Sequence, residues 1–148
     1  MKKKLGIIYF GFICILLSGC SHAAIEKYEI SDLKISLDTE KCSLKVDGRA
    51  LNIEMQSKCY FVKDSGTGIV GVKYYSDIES HVLLIVGNSV SKDPDYPLTL
   101  TRNDCGSKLR ALVIKNKTAM LSVKIFSNTL TCAGIGVDEK EYYILSHP

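Results

Sequence analysis

The sequence predicts an all-β domain, or one of β structure with a short helix. The expected build is a small antiparallel sandwich or curled sheet with two disulfides. Three observations carry this. From Leu33 onward apolar residues recur with a period of two, the spacing that puts alternate side chains on one face of a strand. Asp47-Gly48 sits between two such runs, and a two-residue turn of this kind needs positive φ at both central positions. Four cysteines, Cys42, Cys59, Cys105 and Cys132, are spread through the apolar runs in an even number.

In chain order, Leu33, Ile35 and Leu37 alternate with Lys34 and Ser36 and form a half-buried strand. Cys42, Leu44 and Val46 alternate with Ser43 and Lys45. A turn at Asp47-Gly48 then pairs Val46 with Arg49, Leu44 with Leu51 and Cys42 with Ile53. Leu44, Leu51, Cys42 and Ile53 fall on one face, so turn chemistry and hydrophobic pattern agree on the register. A third strand runs from Cys59 to Lys63 and a fourth from Ile69 to Tyr75. The loop between them, Asp64 to Gly68, has two glycines but lacks the lysine and the strand-to-helix setting of a phosphate cradle, and reads as a β-turn. Ser76-Asp77-Ile78-Glu79 has the spacing of a capping box and suggests a single helical turn. His81 to Val86 is continuously apolar after its first residue, as in a strand buried on both faces.

The segment from Gly87 to Asn103 is polar and holds Pro94 and Pro97, so it reads as a long surface loop. Lys108 to Ile114 and Thr118 to Phe126 make a second hairpin around Lys115-Asn116-Lys117. Its register pairs Ile114 with Ala119, Leu112 with Leu121 and Arg110 with Val123. Both faces of this pair are partly apolar, which predicts a central position in the sheet. At the end, Asp138-Glu139-Lys140-Glu141 followed by Tyr142 to Leu145 fits either a short closing helix or a last edge strand. The aromatic and β-branched residues favour the strand.

Ahead of the domain the chemistry changes. Lys2, Lys3 and Lys4 precede thirteen mostly apolar residues, Leu5 to Leu17, a run shorter than the roughly 20 that a membrane span needs. It ends in Leu17-Ser18-Gly19-Cys20, an aliphatic residue and two small ones before a cysteine. This resembles the lipobox of bacterial lipoproteins. The resemblance covers the leader alone; no family motif is recognised in the rest of the chain. It implies cleavage before Cys20, with diacylglycerol and a fatty acyl chain on that cysteine as the only covalent additions and no other cofactor. The divisions expected are a signal at 1–19, an acylated tether at 20–31 and one domain at 32–148. Ser21 and His22 follow the cysteine, with no aspartate in the next position. By resemblance to enterobacterial lipoproteins, that implies transfer to the outer membrane, with the domain at its periplasmic face.

Export also decides the charge and the thiols. The chain has 19 basic and 16 acidic residues, and the three lysines of the leader account for the whole excess. A neutral domain with no Lys/Arg cluster excludes nucleic acid as a partner. Cys14 belongs to the leader. The remaining four cysteines are expected to oxidise in the periplasm; a zinc site would want a C-x-x-C knuckle, and none occurs. Four cysteines allow three pairings. The second hairpin's register carries Cys105 and Cys132 past the same open end, which favours Cys105–Cys132 and leaves Cys42–Cys59. The latter conflicts with a flat meander, where those residues lie two strand spacings apart, roughly 9–10 Å, against the ~7 Å that a disulfide tolerates. Either the sheet curls or the pairing is a different one.

No catalytic or metal site is expected. His22, His81 and His147 share no ligand spacing, and His81 alone opens an apolar strand. Asp93 with Asp95, or Asp138 with Glu139 and Glu141, could act as acid and base or hold calcium, but neither set resembles a calcium loop. No G-x-S-x-G occurs, and Asn116-Lys117-Thr118 is a chance sequon. Eight tyrosines and no tryptophan remain as a signal of contact surface. Paired tyrosines are expected to point one ring inward and one outward. Tyr96, with Asp93 and Asp95 in the long loop, is the expected partner-binding set. The function expected is a protein-binding module, an inhibitor or immunity factor against a periplasm-acting toxin or wall hydrolase, and not an enzyme. The alternative is a structural accessory of an envelope, secretion or conjugation and surface-exclusion apparatus.

Overall fold

The computed structural model describes residues 24–56, 58–90 and 102–148. The first sheet is a meander of β1 (Ile25–Ile30), β2 (Leu33–Asp38), β3 (Ser43–Val46) and β4 (Arg49–Leu51), in that spatial order. The second has β5 (Tyr60–Phe61), β6 (Val72–Tyr75), β7 (Ser80–Ser89), β8 (Cys105–Lys115) and β9 (Thr118–Cys132). Its order is β5-β7-β8-β9, with β6 also on β7. All pairings are antiparallel. Among the described residues there is a single helix, α1 (Glu139–Ser146), at the C-terminal end.

The molecule has three layers. Leu33, Ile35, Leu37, Leu44 and Val46 of the first sheet pack on Phe61, Leu83, Ile85, Leu112 and Ile114 of the second. On the other face of the second sheet, Val82, Leu84, Val86, Leu109, Ala111 and Val113 meet Tyr142 and Leu145 of α1. β7 and β8 are therefore buried on both faces, which is why His81 to Val86 has no polar alternation. The sandwich resolves the conflict over Cys42 and Cys59. Cys42 lies in the β2–β3 turn of one sheet and Cys59 just before β5 of the other, with Cα atoms 4.9 Å apart and a disulfide between the layers. Cys105 and Cys132 sit opposite each other at one end of β8 and β9 and are also bridged.

Turn geometry explains the meander. Asp47 and Gly48 have φ of 47° and 79°, and the register pairs Val46 with Arg49 and Leu44 with Leu51 as expected. Ser31-Asp32 and Asn116-Lys117 adopt the same doubly positive geometry without a glycine. The loop after Lys63 is a turn capped by Asp64, whose carboxylate accepts from the Gly66 and Thr67 N–H groups at 3.0 Å each. Residues 60–62 and 72–75 together line one edge of β7, and the 63–71 excursion between them is closed by Gly71 donating to the Val62 carbonyl at 2.9 Å. A side chain at Gly71 would collide with the Tyr142 hydroxyl, so the glycine lets the Tyr142 ring seat closely where the helix crosses.

Six expectations need correction. Residues 25–30, read as tether, form β1. Tyr28 and Ile30 pack on the core, and the Glu26 carboxylate accepts the Phe61 N–H at 3.1 Å. Ser76 to Glu79 is a plain reversal between β6 and β7, with Glu79 at φ 50° where a helix could not continue. Leu51 ends β4, so Cys42 and Ile53 share the core without ladder pairing. Arg110 pairs with Ile125 rather than Val123, because register shifts occur in β9 between Arg110 and Leu112 and again between Gly106 and Lys108. Of the pair expected to be central, β8 lies between β7 and β9, whereas β9 is an edge strand among the described residues. The closing segment is the helix and not the strand: Tyr142 and Leu145, three apart, bury one face, and Glu139 and Glu141 occupy the first turn, where the helix dipole favours acid.

Candidate functional site

The open side of β9 is the most exposed apolar feature among the described residues. Val123 is 97% exposed, and Met120 and Leu130 are 51% and 41% exposed. The cause is the bulge. Up to Leu121 the strand keeps strict alternation, with Ala119 and Leu121 on the sandwich core and Met120 on the opposite face beside Val113. At the shift, Ser122 turns inward; its hydroxyl accepts the Ala111 N–H at 3.0 Å and donates to the Lys124 carbonyl at 2.7 Å. Val123 is thrown outward. Buried Arg110 fixes the distortion, its Nε donating to the Ser122 carbonyl at 2.9 Å and a terminal nitrogen to the Ile53 carbonyl at 3.2 Å. An apolar groove of about 460 Å³ results, lined by Val113, Met120, Val123, Leu145, His147 and Pro148 among others.

A polar cluster holds the helix beside this groove. His147 stacks on Tyr143 at 3.9 Å and meets Tyr75 edge-on at 5.1 Å. Its Nδ1 lies 2.8 Å from the Tyr143 carbonyl and 3.0 Å from Ser146 Oγ, and its Nε2 lies 3.0 Å from Asp77. By distance alone this resembles a serine–histidine–aspartate relay. The chemistry disagrees. A nucleophilic serine must give its proton to a ring nitrogen that has a free lone pair, whereas Ser146 donates to the Tyr142 carbonyl at 2.7 Å. Nδ1 is also shared with the Tyr143 carbonyl, and Ser146 is turned to backbone carbonyls of the helix rather than free to attack. The arrangement fastens the C-terminal end of α1 to the β6–β7 turn.

The other end of α1 is fastened in the same way. The Tyr75 hydroxyl donates to the Glu139 carboxylate, which also pairs with Lys73 at 3.2 Å. The Tyr75 hydrogen bond, ahead of Lys73, holds the Glu139 carboxyl below the ordinary range. Burial, with Glu139 second, pushes the Tyr75 phenol up. Tyr142, buried and within the field of Glu139 and Asp64, is raised to about 12. Both phenols stay neutral and serve as packing and donors.

The remaining nominated residues scatter. His81 sits against Tyr74, 4.9 Å between rings, with Ser31 Oγ 3.4 Å from Nδ1. Glu139 turns to Tyr75 and Lys73, while Asp138 and Glu141 line a separate cleft of about 320 Å³ with Thr129 and Thr131. The three acids do not converge, and among the described residues no group of three His, Cys, Asp or Glu side chains is placed to hold a metal. The tyrosine pairs do split, Tyr74 and Tyr143 outward, Tyr142 inward and Tyr75 in between. Cys20, Asp93, Asp95 and Tyr96 lie outside the described residues. The flanks of the long loop, Val90 and Arg102, are described and stand at the Cys105–Cys132 end, where Val90 donates to the Cys105 carbonyl at 3.2 Å. Sequence reasoning missed Val123, because strict alternation would have buried it beside Leu121. No helix among the described residues is long and apolar enough to cross a membrane. No protein-family model, curated protein or solved structure matches the chain.

Proposed function

We propose that this chain is an envelope lipoprotein whose β domain binds another exported protein. Residues 1–19 serve export, and Cys20 carries the lipid that holds the domain at the periplasmic face of the outer membrane. The domain acts as an inhibitor or immunity factor against a periplasm-acting toxin or wall hydrolase. One observation carries the binding role: among the described residues β9 is a 15-residue strand paired on one side only, with Val123 and Met120 exposed beside an apolar groove. An open edge of that length offers a row of unpaired N–H and C=O groups, which supports addition of an extended segment from a partner. Its exposed side chains then supply the apolar anchors.

The test is crosslinked recovery from cell envelopes, comparing the native chain with a Met120→Lys/Val123→Lys variant and identifying partners by mass spectrometry. The expected result is one exported protein lost by the variant at unchanged thermal stability. Equal recovery by both forms removes β9 as the binding surface. Absence of any protein partner, together with turnover of a small molecule by the purified chain, overturns the reading in favour of an enzyme.

A further inference from the structure

The structure gives the domain two distinct ends. Ala24 enters β1 at the end carrying both disulfides: its carbonyl accepts from the Thr39 N–H at 3.0 Å and the Thr39 hydroxyl at 2.8 Å, and Thr39 in turn accepts the Cys59 N–H at 2.9 Å. Thr39 is 2% exposed, so the point of entry is anchored in the core. The hairpin turns at Ser31-Asp32, Asp47-Gly48 and Asn116-Lys117 gather at the opposite end, where Lys117 pairs with Asp32 at 2.7 Å across the two sheets. β7, ten residues long, separates the ends by about 33 Å.

We infer that the disulfide-bearing end faces a phospholipid bilayer and the hairpin-turn end points away from it. This rests on the reading of Cys20 as the lipid acceptor. From Cys20 to Ala24 the chain spans four residues, at most about 14 Å when fully extended, less than half the length of the domain. The entry end therefore stays within that distance of the acylated cysteine. Its surface suits the position. Ile25, first residue of β1, is 52% exposed beside the entry point. Among the described residues nearby, Lys58 pairs with Glu40 at 3.0 Å and Arg102 with Asp104 at 2.7 Å, and the exposed Lys41 is placed to meet anionic headgroups.

The test uses the fact that the chain contains no tryptophan. Single reporters Ile25→Trp and Lys41→Trp mark the entry end, and Tyr74→Trp, opposite His81, marks the far end. Each full-length lipidated variant is reconstituted in phosphatidylethanolamine–phosphatidylglycerol vesicles, with bromine on the acyl chains near the headgroup. Fluorescence of the entry-end reporters is expected to fall at least twofold more than that of Tyr74→Trp. Lys41→Trp lies in an exposed turn and keeps the comparison available if Ile25→Trp folds poorly. Equal quenching at both ends, with the protein floating with the vesicles, overturns the orientation and leaves the anchor standing. Failure to float, or equal flotation of Cys20→Ala, overturns the anchor and the orientation with it.

Discussion

Three side chains show how single groups decide local structure and its pH dependence here. Ser122 supplies the hydrogen-bond acceptor that the β8 ladder loses at the bulge. Ser122→Ala leaves the Ala111 N–H buried without a partner, a cost of about 1–3 kcal/mol, to be read as a lower urea midpoint with unchanged slope. Glu26 is the opposite case. Burial raises its carboxyl above the ordinary range despite the Phe61 N–H and the charge of Lys63. A carboxyl raised in the folded state favours folding when protonated, so its contribution is lost as pH rises through the raised value. Glu26→Gln keeps an acceptor for Phe61 and carries no charge. The variant is expected to melt higher than the native chain at neutral pH, with the difference closing as the solution is acidified. Asp104 has the reverse sign. Burial raises its carboxyl, but the Arg102 hydrogen bond, the Gly134 N–H and the Arg102 charge outweigh that and hold it low. Its stabilisation is present at neutral pH and lost in acid, which is why the paired comparison at Glu26 is needed.

At the scale of elements, legibility depended on whether local chemistry or packing made the decision. The Asp47-Gly48 hairpin was readable because the turn itself sets the register. The second hairpin was readable only near its turn: Ile114–Ala119 and Leu112–Leu121 hold, and the pairing fails at Arg110, where a bulge enters. Bulges answer to tertiary neighbours such as Arg110 and Ile53, which have no local signature. β1 and α1 were misread for a related reason. Tyr28 and Ile30 alternate too briefly to announce a strand, and Tyr142-Tyr143-Ile144-Leu145 has strand propensity that the second sheet's outer face overrides. The groove on β9 was hidden with the bulge that creates it. Among connections, Cys42–Cys59 joins the two sheets and closes a 17-residue loop. Cys42→Ser/Cys59→Ser is expected to lose about 3 kcal/mol, measured by denaturant unfolding against the oxidised chain. Amide exchange in the first sheet should accelerate before that in β7 and β8.

Over the whole molecule, two disulfides staple the sandwich, and they support the proposal of a neutral domain exported to an oxidising compartment. β1 begins at Ile25, so on the proposed reading of Cys20 only residues 20–24 separate the lipid from the domain. The anchor has its own direct check. Palmitate labelling is expected in the native chain and absent in Cys20→Ala; label that persists in the variant would refute it.

The two register shifts in β9 reach beyond surface shape. Continued without them from Ile114–Ala119, the ladder would set Asn128 opposite Cys105 and leave Cys132 four residues away, about 13 Å along the strand. That gap is too wide for sulfur to bridge. With both shifts in place, the two cysteines are opposed. The Cys105–Cys132 bridge therefore fits only the doubly bulged register, so the same irregularities that expose Val123 are what set the two sulfurs within reach.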